Sequence, residues 1–128
     1  MRFKIDTSEK YHVITILEPL FSANMTEEAG KLMLSYLQKP VKNLIINLQD
    51  IQNMEDAAAG LLINIQQTFQ SRNASFVLCR MAASLQQQLA EQDQLDGLNL
   101  VPTESEAWDI VQMEEIEREL FGEDEPPT

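Results

Sequence analysis

Two periodicities alternate along this chain, and their order restricts the folds open to it. Arg2 to Asp6 alternates polar and apolar residues, with Phe3 and Ile5 on one side, which is strand spacing. Thr7 to Lys10 is a polar turn, and Tyr11 to Leu17 is a second strand rich in β-branched residues, so the two read as a hairpin. Pro19 ends the second strand because proline brings no donor to a ladder. From Thr26 to Gln38 the period lengthens: Ala29, Leu32, Met33, Tyr36 and Leu37 share one helical face. Thr26, Glu27 and Glu28 mark its start, and Pro40 blocks its continuation.

The same alternation then repeats. Leu44 to Leu48 is a short apolar run of the kind found in strands covered on both faces. Gln49 to Glu55 reads as a loop, and a helix follows from near Asp56 to about Arg72, with Ala58, Leu61, Leu62, Ile65 and Phe69 as its stripe. Asn73 and Ala74 turn into a strand from Ser75 to Cys79. A helix over Ala83 to Glu91 turns Leu85 and Leu89 inward, Leu98 to Val101 is a last strand, and a last helix runs from Glu104 to about Leu120. The order β-β-α-β-α-β-α-β-α predicts an α/β domain: a mixed, mostly parallel sheet with packed helices. Residues 1–121 are expected to form it, and 122–128 to be an acidic tail that does not pack.

Length and composition fit one such domain. A chain of 128 residues buries enough surface to fold without a disulfide or a metal. The single cysteine, Cys79, lies in the apolar run Phe76-Val77-Leu78-Cys79 and reads as a buried thiol suited to a reducing compartment. The N-terminus lacks the apolar stretch of a signal peptide, and no run reaches the length of about 20 apolar residues that spans a bilayer, so the expectation is a cytoplasmic protein. The formal charge of -12 repels phosphate backbones and anionic lipid, which disfavours nucleic acid and membrane partners. A protein with a basic patch is the better complement.

In parallel α/β sheets function gathers at the carboxyl ends of strands. Here that points to the loop after the third strand and to Met54-Glu55-Asp56-Ala57-Ala58-Ala59-Gly60. Met54 can pack, while Glu55 and Asp56 stand at a helix start, where acceptor side chains can bond the free N–H groups of the first turn. The small residues that follow leave that turn open to close approach. These features fit either a docking face or an ordinary capped helix.

At this point the chain resembles the STAS domain family of anti-sigma-factor antagonists. The resemblance rests on Leu44-Ile45-Ile46-Asn47-Leu48, a loop, and Met54 to Leu62, which follow the family pattern of an apolar strand ending in Asp-Leu or Asn-Leu, a loop, and Asp-Ser-Ser-Gly-Leu. Glu55 falls on the aspartate, Asp56 on the first serine, Ala57 on the second and Ala58 on the glycine. Glu104-Ser105-Glu106-Ala107-Trp108 resembles the start of the family's last helix. The resemblance implies a non-enzymatic domain, without a cofactor, that binds an anti-sigma-type serine kinase or a related regulatory protein. The second serine is the kinase's target in the family. Ala57 has no hydroxyl, so the resemblance implies docking that is not switched by phosphate, a group that adds about -1.5 to -2 charges where it is present. It also implies a second contact after the second strand, where only Leu20 matches the family and where Phe21 and Ser22 follow. Partner contacts are therefore expected at Phe21, Ser22, Met54, Glu55, Asp56, Ala57 and Ala58. Phe21 reads either as an exposed anchor or as a core residue under the first helix.

Other chemistries find less support. Asp50, Glu55 and Asp56 could hold Mg²⁺ as in a receiver domain, but Asp6 is alone after the first strand and Val101-Pro102-Thr103 offers no lysine. His12 is the sole histidine and is expected on a strand surface; alone it supports neither a His-containing triad nor a multi-histidine metal site within the chain. A small-ligand, lipid or nucleotide sensor or scaffold using the same helix start is the rival reading. The last helix, with Met113, Ile116, Leu120 and Phe121 among acids, either packs on the sheet or presents its end to a partner or a second copy.

Overall fold

The computed structural model describes residues 1–122. Strands β1 (Phe3–Thr7) and β2 (His12–Ile16) form the expected antiparallel hairpin, with Phe3 opposite Ile16 and Thr7 opposite His12. Strands β4 (Leu44–Asn47), β6 (Phe76–Cys79) and β7 (Leu100–Val101) add to β2 in parallel, giving the order β1-β2-β4-β6-β7. Helices α1 (Thr26–Ser35), α2 (Asp56–Ser71), α3 (Ala83–Glu91) and α4 (Glu104–Gly122) follow the short strands β3 (Leu20–Phe21) and β5 (Asn53–Met54) and then β6 and β7 in turn. The α/β class and the order of the long elements are as the sequence predicts. The expected tail lies outside the described residues beyond Gly122.

The pleat of the sheet divides the core in two. Ile14, Ile16, Leu44, Ile46, Phe76 and Leu78 point to the side where α1, α2 and α3 bring Met33, Leu62, Phe69 and Leu85. Val13, Ile45, Val77 and Cys79 point to the other side, covered by Ala107 and Val111 of α4. Phe69 and Phe76 pack with ring centres 5.2 Å apart, and Tyr11 lies against Trp108 at 4.6 Å. Helix α2 ends as its sequence suggests. Asn73 adopts φ 57°, its N–H donates to the Gln70 carbonyl, and the Ala74 N–H reaches back to Phe69, the reciprocal pattern of a left-handed helix cap.

Several local expectations change. The loop from Gln49 to Glu55 contains a two-residue strand, β5 (Asn53–Met54), paired in parallel with β3 (Leu20–Phe21). Periodicity cannot reveal strands this short. Helix α1 starts at Thr26 as expected, but a 3-10 turn over Ala23–Met25 precedes it and another over Tyr36–Gln38 finishes it; the Thr26 hydroxyl donates to the Ala23 carbonyl. His12 is not on a surface. It is buried, its Nε2 lies 3.1 Å from the Val41 carbonyl and its Nδ1 3.0 Å from the Thr7 hydroxyl, and its ring meets Tyr36 at 4.7 Å. Such pairing makes a polar ring tolerable in the core.

Candidate functional site

The loops that follow β2 and β4 both leave the sheet at its carboxyl edge, and the β3–β5 pair ties them together. The Pro19 carbonyl accepts from the N–H groups of Gln52 and Asn53, and the Phe21 carbonyl from that of Glu55. The tie continues through a side chain: the Glu55 carboxylate accepts the Ala23 N–H at 2.7 Å. From α3, Gln88 donates to the Met54 carbonyl at 3.3 Å. The two segments singled out from sequence therefore form one surface feature.

Glu55 takes the N-cap position of α2 with extended backbone (φ -79°, ψ 156°), and its carbonyl accepts from Ala58 and Ala59. No side chain caps this helix. The expectation that acceptor side chains satisfy its first turn is corrected here. Glu55 reaches across to the neighbouring loop, and Asp56 is already inside the first turn, where a carboxylate favours the dipole without closing a cap.

The predicted contact residues separate by exposure. Glu55, Asp56 and Ala57 are exposed and consecutive, and Ser22 beside them is half-buried. Phe21, Met54 and Ala58 are buried in the main core. Phe21 is thus a core residue and not an exposed anchor, because alternation within β3 turns its ring inward while Leu20 faces out. Met54 behaves likewise in β5, and Ala58 faces the sheet from the first turn of α2. Their contribution is to shape the backbone under Glu55–Ala57.

Asn47, the last residue of β4, organises the same edge. Its Oδ1 accepts the Gln49 N–H at 2.9 Å and its Nδ2 donates to Glu104 at 2.7 Å, joining the loop after β4 to the start of α4. The type was visible in sequence as the polar end of an apolar strand, but its partner was not. Cys79 is fully buried, and burial, with the Glu104 carboxylate adding to it, pushes its thiol up to about 12, a group held protonated and unreactive. Among the described residues no cluster of three His, Cys, Asp or Glu side chains is placed to hold a metal ion, and no helix is long and apolar enough to cross a membrane.

A model of the STAS domain matches residues 2–107. No curated protein matches. Among solved structures, the chain is similar to the unphosphorylated anti-sigma factor antagonist SpoIIAA of Bacillus, with 17% identity, 87% of this chain and 96% of that one covered, and a TM-score of 0.68. It is similar to an anti-sigma-factor antagonist (STAS) domain protein from Planctomyces limnophilus at 14% identity, covering 86% and 97%, with a TM-score of 0.72. A substituted form of RsbS from Moorella thermoacetica aligns at 19% identity over 88% and 96%, also with a TM-score of 0.72. At these identities the likeness establishes a shared fold.

Proposed function

Because this chain belongs to the STAS domain family, we propose that it is a non-enzymatic regulatory domain that docks on a protein partner, without a phosphorylation switch at the usual position. The observation that carries this reading is the exposed run Glu55-Asp56-Ala57 at an uncapped helix start, held to the loop after β3 by the 2.7 Å contact from Ala23 to Glu55. An open first turn presents N–H groups and a positive dipole end, and a partner can close on it. Two of the named relatives, SpoIIAA and the Planctomyces limnophilus protein, are anti-sigma factor antagonists, which supports an anti-sigma-type serine kinase or a related regulatory protein as the partner. SpoIIAA is known in phosphorylated and unphosphorylated forms. In this chain the position that aligns with the family's phosphoacceptor is Ala57, and Asp56 beside it offers no hydroxyl either.

The charge of -12 supports a protein partner over nucleic acid or membrane. A reducing, cytoplasmic setting belongs to the same reading and is supported by the buried free thiol.

The test compares the wild type with an Asp56→Lys, Ala57→Arg double variant in affinity capture, with circular dichroism as the folding control. Both residues are exposed, so the fold should persist; Ala58 would be the wrong target because it is buried. Capture of an ATP-binding anti-sigma-type protein by the wild type alone is expected. Equal capture by both would place the interface elsewhere, and a copurifying small ligand without any such protein would favour the sensor reading. Ala57→Ser, incubated with the captured kinase and ATP, should gain phosphate that the wild type does not.

A further inference from the structure

Helix α4 is amphipathic in the opposite sense to the other helices over its second half. Its first half is ordinary: Ala107 and Val111 are fully buried against the sheet, and the Glu106 N–H donates to the Thr103 hydroxyl at the start. Beyond Val111 the residues that turn inward are polar. The Glu115 carboxylate accepts from Asn43 Nδ2 at 2.7 Å, and the Arg118 guanidinium donates to Ser75 Oγ at 3.2 Å and Asn43 Oδ1 at 3.3 Å. The residues opposite them, flanked by acids, are apolar. Met113, Ile116, Leu120 and Phe121 are 55%, 56%, 61% and 70% exposed. At 3.6 residues per turn, Met113, Ile116 and Leu120 fall within an arc of about 60°, almost diametrically opposite Val111. Rotating the helix to hide them would expose Ala107 and Val111 and break the contacts to Asn43. The packing therefore fixes an apolar stripe in solvent.

The charges beside the stripe define what can cover it. Glu106, Asp109, Glu117 and Glu119 are exposed on this helix, and its single base, Arg118, is engaged inward. Two copies meeting through this face would bring these carboxylates together with no free base from either helix, since an isologous contact uses the same patch of both copies. A partner with apolar residues at helical spacing and flanking Lys or Arg meets both requirements. We propose that the outer face of α4, formed by Met113, Ile116 and Leu120 with Phe121 at its end, docks a basic amphipathic helix of a different protein. The stripe lies on α4, across the main sheet from α2, so this contact and docking at Glu55–Ala57 use opposite sides of the domain.

The test uses two labelled synthetic peptides of ~18 residues, about five helical turns. One has Leu at helical spacing with Lys between; the other has the same composition scrambled to remove the stripe. Binding is followed by fluorescence anisotropy in about 150 mM salt, where general charge attraction is screened. The wild type should bind the patterned peptide at least about tenfold more tightly than the scrambled one, a difference of ~1.4 kcal/mol. An Ile116→Gln, Leu120→Gln double variant should lose that preference while melting with the wild type. Equal affinity for both peptides, no binding, or an unchanged preference in the variant would overturn the proposal. So would sedimentation of the wild type as a dimer that the variant turns into a monomer, which would assign the face to a second copy. A variant that melts well below the wild type would show that these side chains are packed, and would overturn it too.

Discussion

Asn43 is the residue whose loss should be felt most widely for its size. It sits just before β4 and is buried. Its Oδ1 accepts the Ser75 N–H at 3.0 Å and an Arg118 nitrogen at 3.3 Å; its Nδ2 donates to the Lys10 carbonyl at 3.1 Å and to Glu115 at 2.7 Å. One amide thus joins the β1–β2 turn, the entry to β6 and the second half of α4. Asn43→Ala strands the Ser75 N–H, in a residue only 2% exposed, at a cost of ~1–3 kcal/mol. The contacts to Glu115 and Arg118 lie nearer the surface and add roughly 0.5 kcal/mol each. The expected loss is about 3 kcal/mol, which at an m-value of about 1.5 kcal/mol/M lowers the urea midpoint by about 2 M. Circular dichroism during urea unfolding measures it directly. Arg118→Ala alone should cost only about 1 kcal/mol, and the double variant should cost less than the sum, because both remove the same bond. If Asn43→Ala unfolds within about 1 kcal/mol of the wild type, the amide is not the organising contact and the argument fails.

Four further outcomes are expected. Phe21→Ala should destabilise the fold by about 3–5 kcal/mol in the same assay, because the ring is fully buried; a near-neutral effect would return it to the surface. Glu55→Ala should leave global stability within about 1 kcal/mol but speed amide exchange at Ala23 several-fold, since that N–H loses its 2.7 Å acceptor. Cys79 should resist alkylation at pH 8 in the native state and react on unfolding. Its folded thiol is raised to about 12 from an ordinary 9, so its share of stability is whole below pH 9 and declines as pH rises from there toward 12. Arg80→Gly should raise stability by about 1 kcal/mol in urea unfolding, because Arg80 occupies the left-handed region at φ 59°, which costs a side chain that glycine lacks.

What the sequence by itself determined is the run of long elements and the apolar face of each. Apolar alternation from Phe3 to Ile5, the continuous run from Leu44 to Leu48 and the stripe from Ala58 to Phe69 are period signals, and period is set by backbone geometry that each residue obeys locally. The family resemblance in Met54 to Leu62 pointed to a candidate face, of which the structure exposes Glu55, Asp56 and Ala57 and buries Met54 and Ala58. Tertiary structure alone decided the rest. Whether Phe21 faced out or in depended on a two-residue pairing with Met54, which lies far along the chain and leaves no periodic trace. His12 became a core residue because Val41 and Thr7 supply partners for its ring, and burial of a polar group is decided by partners rather than by its own type. The outward turn of Met113, Ile116 and Leu120 has the same origin. An apolar stripe in sequence predicts a buried face, but this helix is oriented by Asn43, Ser75 and the carboxylate and guanidinium that reach them, contacts that exist only once β4, β6 and α4 are brought together.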